Sequence, residues 1–485
     1  MMMVGTSGLV LNEKLMFEHS DPGRKGYSLP PLDVPQAALP AQLVRDEVAG
    51  FPELSEVDVV RHFTRLSTWN YGVDSGFYPL GSCTMKYNPK INETVARLPG
   101  LSGVHPATPE HLSQGALKLM FDLQTALAEI SGFSAITLQP AAGAHGELAG
   151  MLMVRAWHEA QGNPRTKVLI PDTAHGTNPA TAALCGYDVV PIASDGVLSA
   201  QTVAEYMDDE VAALMVTNPN TLGLFESEIR EICDIVHAKG GLVYCDGANL
   251  NALMGIARPG DMGIDVMHFN LHKTFSTPHG GGGPGSGPVG VSEALAPFLP
   301  VPVVTSGASG YQLHHDRPQS IGRMRSFFGN FGIMVRAFAY IRTLGASGLR
   351  HASEMAVLNA NYVRAKLEGT FHLPYQNRSL HEVVFSDRDL AGDCHTLDLA
   401  KRLIDYGYHP PTVYFPLVVK GAIMIEPTET ESQETLDEFC EAMLAIAGEA
   451  RDNPELLHAA PVRTRIRRLD ETAAARKPRL KWEEQ

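Results

Sequence analysis

The sequence is short of cysteine, of basic charge and of long apolar runs. Its six cysteines, Cys83, Cys185, Cys233, Cys245, Cys394 and Cys440, stand far apart with no C-x-x-C pair. That spacing excludes a disulfide framework and a cysteine-built zinc site, and it fits a reducing cytoplasm. Lys and Arg number 39 against 54 Asp and Glu, giving a formal charge of −15. So acidic a chain lacks the basic surface that nucleic acid and anionic membranes need, and neither is expected as a partner. No apolar stretch reaches the ~20 residues that span a bilayer. Residues 1–11 show neither the basic flank nor the long apolar region of a signal peptide, which again points to the cytoplasm. A nucleotide fingerprint is also missing. The glycine run at 280–287 does not match G-x-G-x-x-G opening a helix, nor does it carry the Lys-Ser/Thr of a P-loop.

What is present is an ordinary globular composition, 44% hydrophobic and 19% charged, in a chain of 485 residues that is long enough for two or more compact units. Apolar periodicity predicts strands over 135–138, 168–170, 213–216, 242–245 and 266–269. Helices are predicted over 56–70, 112–132, from the 140s to 157, up to about 184, and over 227–239. Strands alternating with helices imply an α/β domain with a mostly parallel sheet covered on both faces. After a proline-rich break at 297–302, a helix over 327–341 leads out of this domain. Helices over 352–368, 397–406 and 432–451, with strands over 381–386 and 422–426, predict a smaller α+β domain. The expected organisation is an extended arm at 1–55, a large domain at 56–330, a small domain at 331–455 and a basic tail at 456–485.

One lysine stands out. Lys273 follows the strand at 266–269 within Asn270-Leu-His-Lys-Thr-Phe275, directly ahead of the glycine-rich segment. A lysine on a loop is usually a solvated side chain. Here aromatic neighbours and a run of glycines suggest instead a partly buried amine beside a phosphate, able to form a Schiff base with pyridoxal phosphate (PLP). PLP needs a carboxylate at its ring nitrogen. Asp246, at the carboxyl end of the strand 242–245, faces the ligand side of such a sheet. The small-residue turn at 140–144 opens a helix, so Gly143 and Ala144 are candidates for phosphate contact through backbone N–H groups. His175, after the strand 168–170, has the flat ring to stack on a pyridine or, more plainly, to cap the next helix. The loop at 78–88 mixes small hydroxyls, glycine and one lysine in a way that suits a pocket wall or a packed turn.

Together these segments resemble the PLP-dependent superfamily of aspartate-aminotransferase-like fold. More narrowly, Asn270–Phe275, the Pro278–Gly285 loop, Asp246-Gly-Ala-Asn249, Ala174–Ala180, Tyr78–Ser82, Asn359–Tyr362 and Ile425–Glu429 are similar to the glycine dehydrogenase (decarboxylating) family, the P-proteins of the glycine cleavage system. The resemblance runs from about residue 60 to 450. It implies a fold-type-I large domain and removal of carbon dioxide from glycine, with the aminomethyl group passed to the lipoyl arm of H-protein. Lys273, Asp246 and His175 would be catalytic. Ala248 would lie beneath the ring and Asn249 at its 3′-oxygen, while His272 and Thr274 would reach the phosphate. Thr217, Asn220 and Asn270 complete the implied cofactor contacts. Single-chain members are about twice as long, so this chain resembles the lysine-bearing subunit 2 of the split form. A homologous subunit 1 is implied as partner, in two copies of each. Where many relatives carry Asn-Ser-Gly-Ala-Gln, this chain has Ala141-Ala-Gly-Ala-His145, which leaves more of the phosphate work to backbone amides. Two rival readings remain, another PLP lyase or decarboxylase of the same fold and a non-catalytic scaffold subunit.

Overall fold

In a computed structural model, residues 13–45, 48, 50–279 and 285–481 are described. The organising element is a seven-stranded sheet built from β1 (Ala135–Thr137), β2 (Lys167–Pro171), β3 (Asp188–Ile192), β4 (Val211–Thr217), β5 (Leu242–Gly247), β6 (Val266–Phe269) and β7 (Val289–Val291), in the order β1-β7-β6-β5-β4-β2-β3. From β6 to β3 every pairing is parallel, and β7 runs antiparallel between β6 and β1. β4 and β5 are buried at every position, as continuous apolar runs covered on both faces must be. β3 and β7 were not foreseen. β3 is a half-exposed edge strand carrying Pro191, and β7 is a three-residue Val-Gly-Val; both are too weakly patterned to be read as strands. A hairpin of β8 (Val303–Gly307) and β9 (Gly310–His314) also follows the proline-rich break unannounced.

The helices lie close to expectation, at Glu56–Ser67, Gln114–Ser131, Gly143–Ala160, Thr177–Leu184 and Ile229–Ala238. Ser55 caps the first by accepting the Asp58 N–H, and Gly132 stops the second at φ 80°. The two helices expected at 327–341 and 352–368 are both present: they span Phe331–Leu367 and meet at a kink at Gly345, whose backbone is not helical (φ 60°, ψ −174°). The first packs Ile333, Met334 and Ala337 into the large core. The second packs Val363 and Leu367 into a separate core.

That second core belongs to a three-stranded antiparallel sheet of β10 (Val383–Ser386), β11 (Thr412–Val413) and β12 (Ala422–Ile425), with β12 in the middle. Helices Thr396–Asp405 and Gln433–Asp452 cover it. The loop at 80–86 is fastened to this sheet by a row of acids. Ser82 N–H donates to Glu382 at 2.8 Å, Thr84 donates N–H and O–H to Glu426 at 2.8 and 2.6 Å, and Lys86 pairs with Glu429 at 2.7 Å. Three alternate residues of the loop, Ser82, Thr84 and Lys86, are thus each held by an acid of the small domain. Ser82 and Thr84 sit at φ 61° and 51°, a conformation that these side chains adopt only when held.

Most of the arm at 14–45 is exposed, but its first part is tied down: the buried Glu13 bonds to His62 and Arg65, Ser20 and Gly23 bond to Glu53, and Arg24 pairs with Asp58 at 3.1 Å. The basic tail is less free than its composition suggests. Arg468 pairs with Asp398 at 2.8 Å and donates to the carbonyls of Ala460 and Leu457.

Candidate active site

The parallel strands end along one edge of the sheet, and the cleft opens there, enclosing about 210 Å³. β6 ends at Phe269 and the chain turns at once. Lys273 N–H donates to Asn270 O at 3.0 Å, which brings Lys273 into the cleft with Asn270 and His272. Asp246 enters from the end of β5 and is 5% exposed. Its Oδ1 accepts the Ala248 N–H at 2.9 Å and lies 3.3 Å from His268 Nε2; its Oδ2 accepts from Asn178 at 3.4 Å. Burial works against ionisation, but His268, Lys273 and the Ala248 N–H outweigh it and hold Asp246 below the usual carboxylate range. The cleft therefore keeps a carboxylate facing its amine.

His175 stands at the rim between the ends of β2 and the helix Thr177–Leu184. Its Nδ1 accepts the Thr177 N–H at 3.2 Å and lies 2.5 Å from the Thr177 hydroxyl, which leaves the ring proton on Nε2. Burial lowers its pKa, so the ring is neutral and free to face an aromatic ligand. Burial, together with His279 and Lys273, pushes His272 down to about 3, so that side chain is neutral too. Its Nδ1 accepts the Ser286 N–H at 3.4 Å.

The helix Gly143–Ala160 points its first turn into the cleft. Ala142 supplies no capping side chain, so the leading N–H groups of Gly143 and Ala144 are left for a ligand. A Cβ on Gly143 would come within 2.5 Å of Asn270 Oδ1, and only glycine lets the turn approach that closely. Gly287 is required for the same reason, since a Cβ there would meet Ala142 O at 2.0 Å. The rest of the glycine run, 280–284, lies outside the described residues. Thr217, Ala248 and Asn249 complete the expected wall. Thr217 Oγ1 and Asn249 Oδ1 are buried with no hydrogen-bond partner among the described residues. Buried polar atoms are normally satisfied, so two orphans in one cleft mark places for ligand atoms.

Two expected contacts fall elsewhere. Asn220 is not in the cleft: its amide donates to Gly196 O and Glu226 and accepts from Leu222 and Leu224 N–H, so the turn it organises uses its full bonding capacity. Thr274 is fully buried outside the cleft wall, because successive side chains in the tight turn after β6 point to different sides. Conversely, Ser82, Glu147, Thr177, Thr221 and His268 line the cleft without having been singled out. Two of these were within reach of the pattern. Glu147 lies four residues after Gly143 on a helix, and His268 two before Asn270 on a strand, so each shares a face with a residue already chosen.

The chain matches the aminotransferase class-V family model over residues 146–283 and the model of the glycine dehydrogenase C-terminal domain over 352–459. It is 58% identical over 476 residues, 96% of this chain and 98% of the relative, to a protein of Caldanaerobacter subterraneus subsp. tengcongensis named as a probable glycine dehydrogenase (decarboxylating) subunit 2. A protein of the same name from Shouchella clausii is 58% identical, covering 97% of each chain. Among solved structures, an inhibitor-bound glycine decarboxylase (P-protein) of the glycine cleavage system aligns with a TM-score of 0.68 at 22% identity, over 86% of this chain and 92% of that one. The cysteine desulfurase CsdA of Escherichia coli aligns at 0.60 and 15% identity, over 78% and 95%. These structures share the aspartate-aminotransferase-like α/β fold, and by its identity to curated relatives over nearly its whole length the chain belongs to the glycine dehydrogenase (decarboxylating) subunit 2 family.

Proposed function

We propose that this chain is the catalytic subunit of a glycine decarboxylase, using PLP bound at Lys273 to release carbon dioxide from glycine and passing the aminomethyl group to the lipoyl arm of H-protein. The observation that carries this reading is the meeting of Lys273, Asp246 and His175 in one cleft of a chain so close to the subunit 2 family. The cleft suits the cofactor. It offers an amine for the carbonyl, a carboxylate, a neutral flat ring at the rim, an uncapped helix start and two orphaned polar atoms.

Each residue then has a physical task. Lys273 supplies the amine that anchors the cofactor and takes it back after turnover. Asp246 keeps a proton on the ring nitrogen. His175 and Ala248, both in the cleft wall, would hold the ring of the cofactor between them. The N–H groups of Gly143 and Ala144, with Asn270 and His272, receive the phosphate, which needs no serine at position 142. When bound, PLP supplies the electron sink that makes loss of the glycine carboxylate possible.

The family name supports a second, homologous subunit as partner, and we propose two copies of each. No helix among the described residues is long and apolar enough to cross a membrane, and we place the enzyme in the cytoplasm. The division into arm, large domain, small domain and tail at about residues 55, 330 and 455 is proposed with it, supported by two separate apolar cores. A scaffold role is disfavoured, since an inert subunit has no use for an amine and a buried carboxylate in one cleft.

The test is absorbance of the purified chain with PLP, with and without subunit 1, before and after borohydride, followed by peptide mapping. Cofactor fixed on Lys273, with glycine–bicarbonate exchange that depends on lipoylated H-protein, is the expected result. Exchange without H-protein would favour another decarboxylase, and absence of any fixed cofactor would leave only the scaffold.

A further inference from the structure

Behind Asp246 lies a second buried carboxyl that the reading above leaves without a task. Glu147 is 1% exposed, on the helix Gly143–Ala160, one turn beyond the phosphate-binding start. An oxygen of Glu147, an oxygen of Asp246 and a nitrogen of His268 all lie within 4.8 Å of one another. The Asn178 amide donates to both acids, to Glu147 Oε1 in a short contact and to Asp246 Oδ2 at 3.4 Å. Thr181 Oγ1 lies 3.0 Å from Glu147 Oε2. We propose that Glu147 is a positioning residue for Asp246: the two carboxyls hold one proton between them, it stays on Glu147, and a single negative charge is thereby fixed on Asp246 at the ring-nitrogen position.

Geometry carries the argument. Two acids this close in a buried setting cannot both be ionised without a cation between them. The groups facing Glu147 are Asn178 and Thr181 from the next helix, Tyr244 and Asp246 from β5, His268 from β6, and Lys273. Burial favours the neutral form of His268 and lowers its pKa, against the pull of the Asp246 charge. Its nitrogens are also engaged, Nδ1 with the Tyr244 hydroxyl at 2.5 Å and Nε2 beside Asp246 at 3.3 Å and the Asn270 amide at 2.8 Å, so neither is left for a metal ion. Lys273 is the remaining positive group, and it neutralises one carboxylate. The choice between the acids follows from their donors. Asp246 has a backbone N–H and His268 beside it, whereas Glu147 has a hydroxyl, Thr181, able to accept its proton. Burial and the charge of Asp246 accordingly raise Glu147 to about 8. A neutral Glu147 accepts from Asn178 on one oxygen and donates to Thr181 from the other, so Asn178 remains aligned on Asp246.

This inference rests on the PLP reading, but its first test does not. Infrared difference spectra of the cofactor-free chain, wild type minus Glu147→Gln, are expected at neutral pH to show a protonated-carboxyl carbonyl stretch that the variant lacks. Thr181→Ala is expected to shift that same band, which ties it to Glu147 if Glu147→Gln folds poorly. With PLP bound, Glu147→Gln, which keeps the shape and the neutral charge, is expected to leave the pH profile of cofactor absorbance superimposed on that of the wild type. A carboxylate stretch lost in place of the acid stretch would overturn the proposal. So would a displacement of the cofactor profile by about one pH unit or more, the effect of removing a real charge. Failure of PLP to bind to either protein would count against the proposed function and leave the infrared result standing.

Discussion

Two buried carboxyl pairs among the described residues are put to different ends. Glu147 and Asp246 meet in the cleft wall, held by the side chains of Asn178, Thr181 and His268. Glu382 and Glu426 meet beside the small sheet and are held mainly by the backbone and hydroxyl groups of one loop, at Ser82 and Thr84. Burial pushes one acid of the first pair up to about 8 and raises both acids of the second, Glu426 to about 7. Only Asp246 is pulled the other way. Desolvation and a neighbouring acid together favour the neutral, hydrogen-bonding form of a buried carboxyl, and it takes additional directed donors to hold one carboxyl charged.

That contrast can be broken or sharpened by substitution. Lys273 is a cation near both pairs. Lys273→Ala is expected to lower glycine–bicarbonate exchange by ~10⁴-fold or more, as loss of a nucleophile does, with no cofactor fixed by borohydride. Asp246→Asn should lower kcat by about 10²–10³-fold while leaving the thermal midpoint nearly unmoved; a midpoint falling in step with activity would make this pair a latch as well. Glu426→Gln should do the reverse. The folded pKa of Glu426 lies above its unfolded value, so its contribution to stability is full below the unfolded pKa of about 4.5 and is lost as pH rises to about 7. Denaturant titrations should show that slope in the wild type, amounting to a few kcal/mol, and a flatter one in the variant, with kcat little changed. Smallest is Gly81→Ala, whose Cβ would come 2.3 Å from Met424 Cγ and 2.8 Å from Met424 O. It should cost about 1–3 kcal/mol as overpacking and raise KM for glycine by loosening Ser82, the loop residue in the cleft wall.

Legibility in the sequence followed the strength of local pattern. Strands buried on both faces, such as β4 and β5, announce themselves as unbroken apolar runs, and the residues that follow them inherit a place at the cleft. Lys273, Asp246 and His175 could be placed together at the cleft because each stands at or just after the end of such a strand. Strands β3 and β7 were invisible because an edge position with proline and a Val-Gly-Val triplet need the sheet itself to hold them. Asn220 misled because asparagine in a polar turn looks the same whether it binds a ligand or the turn. Glu147 lies just beyond the Ala141–His145 segment, yet what singles it out is Asp246 on β5, a neighbour that no local window contains. The latch acids at 382 and 426 are similarly long-range, joined to a loop some 300 residues earlier in the chain.

The helix pair spanning Phe331–Leu367 has a mechanical consequence. Two helices meeting at Gly345 join the molecule's cores: the first packs into the large core, and the second packs its start, Leu349 and Ala352, into that same core and its end, Val363 and Leu367, into the core of the small sheet. The small domain is therefore tied to the large one by the second helix, whose entry is set by the turn at Gly345. The backbone angles at Gly345 lie where only glycine rests without strain, so the direction in which the second helix leaves the first depends on one missing side chain.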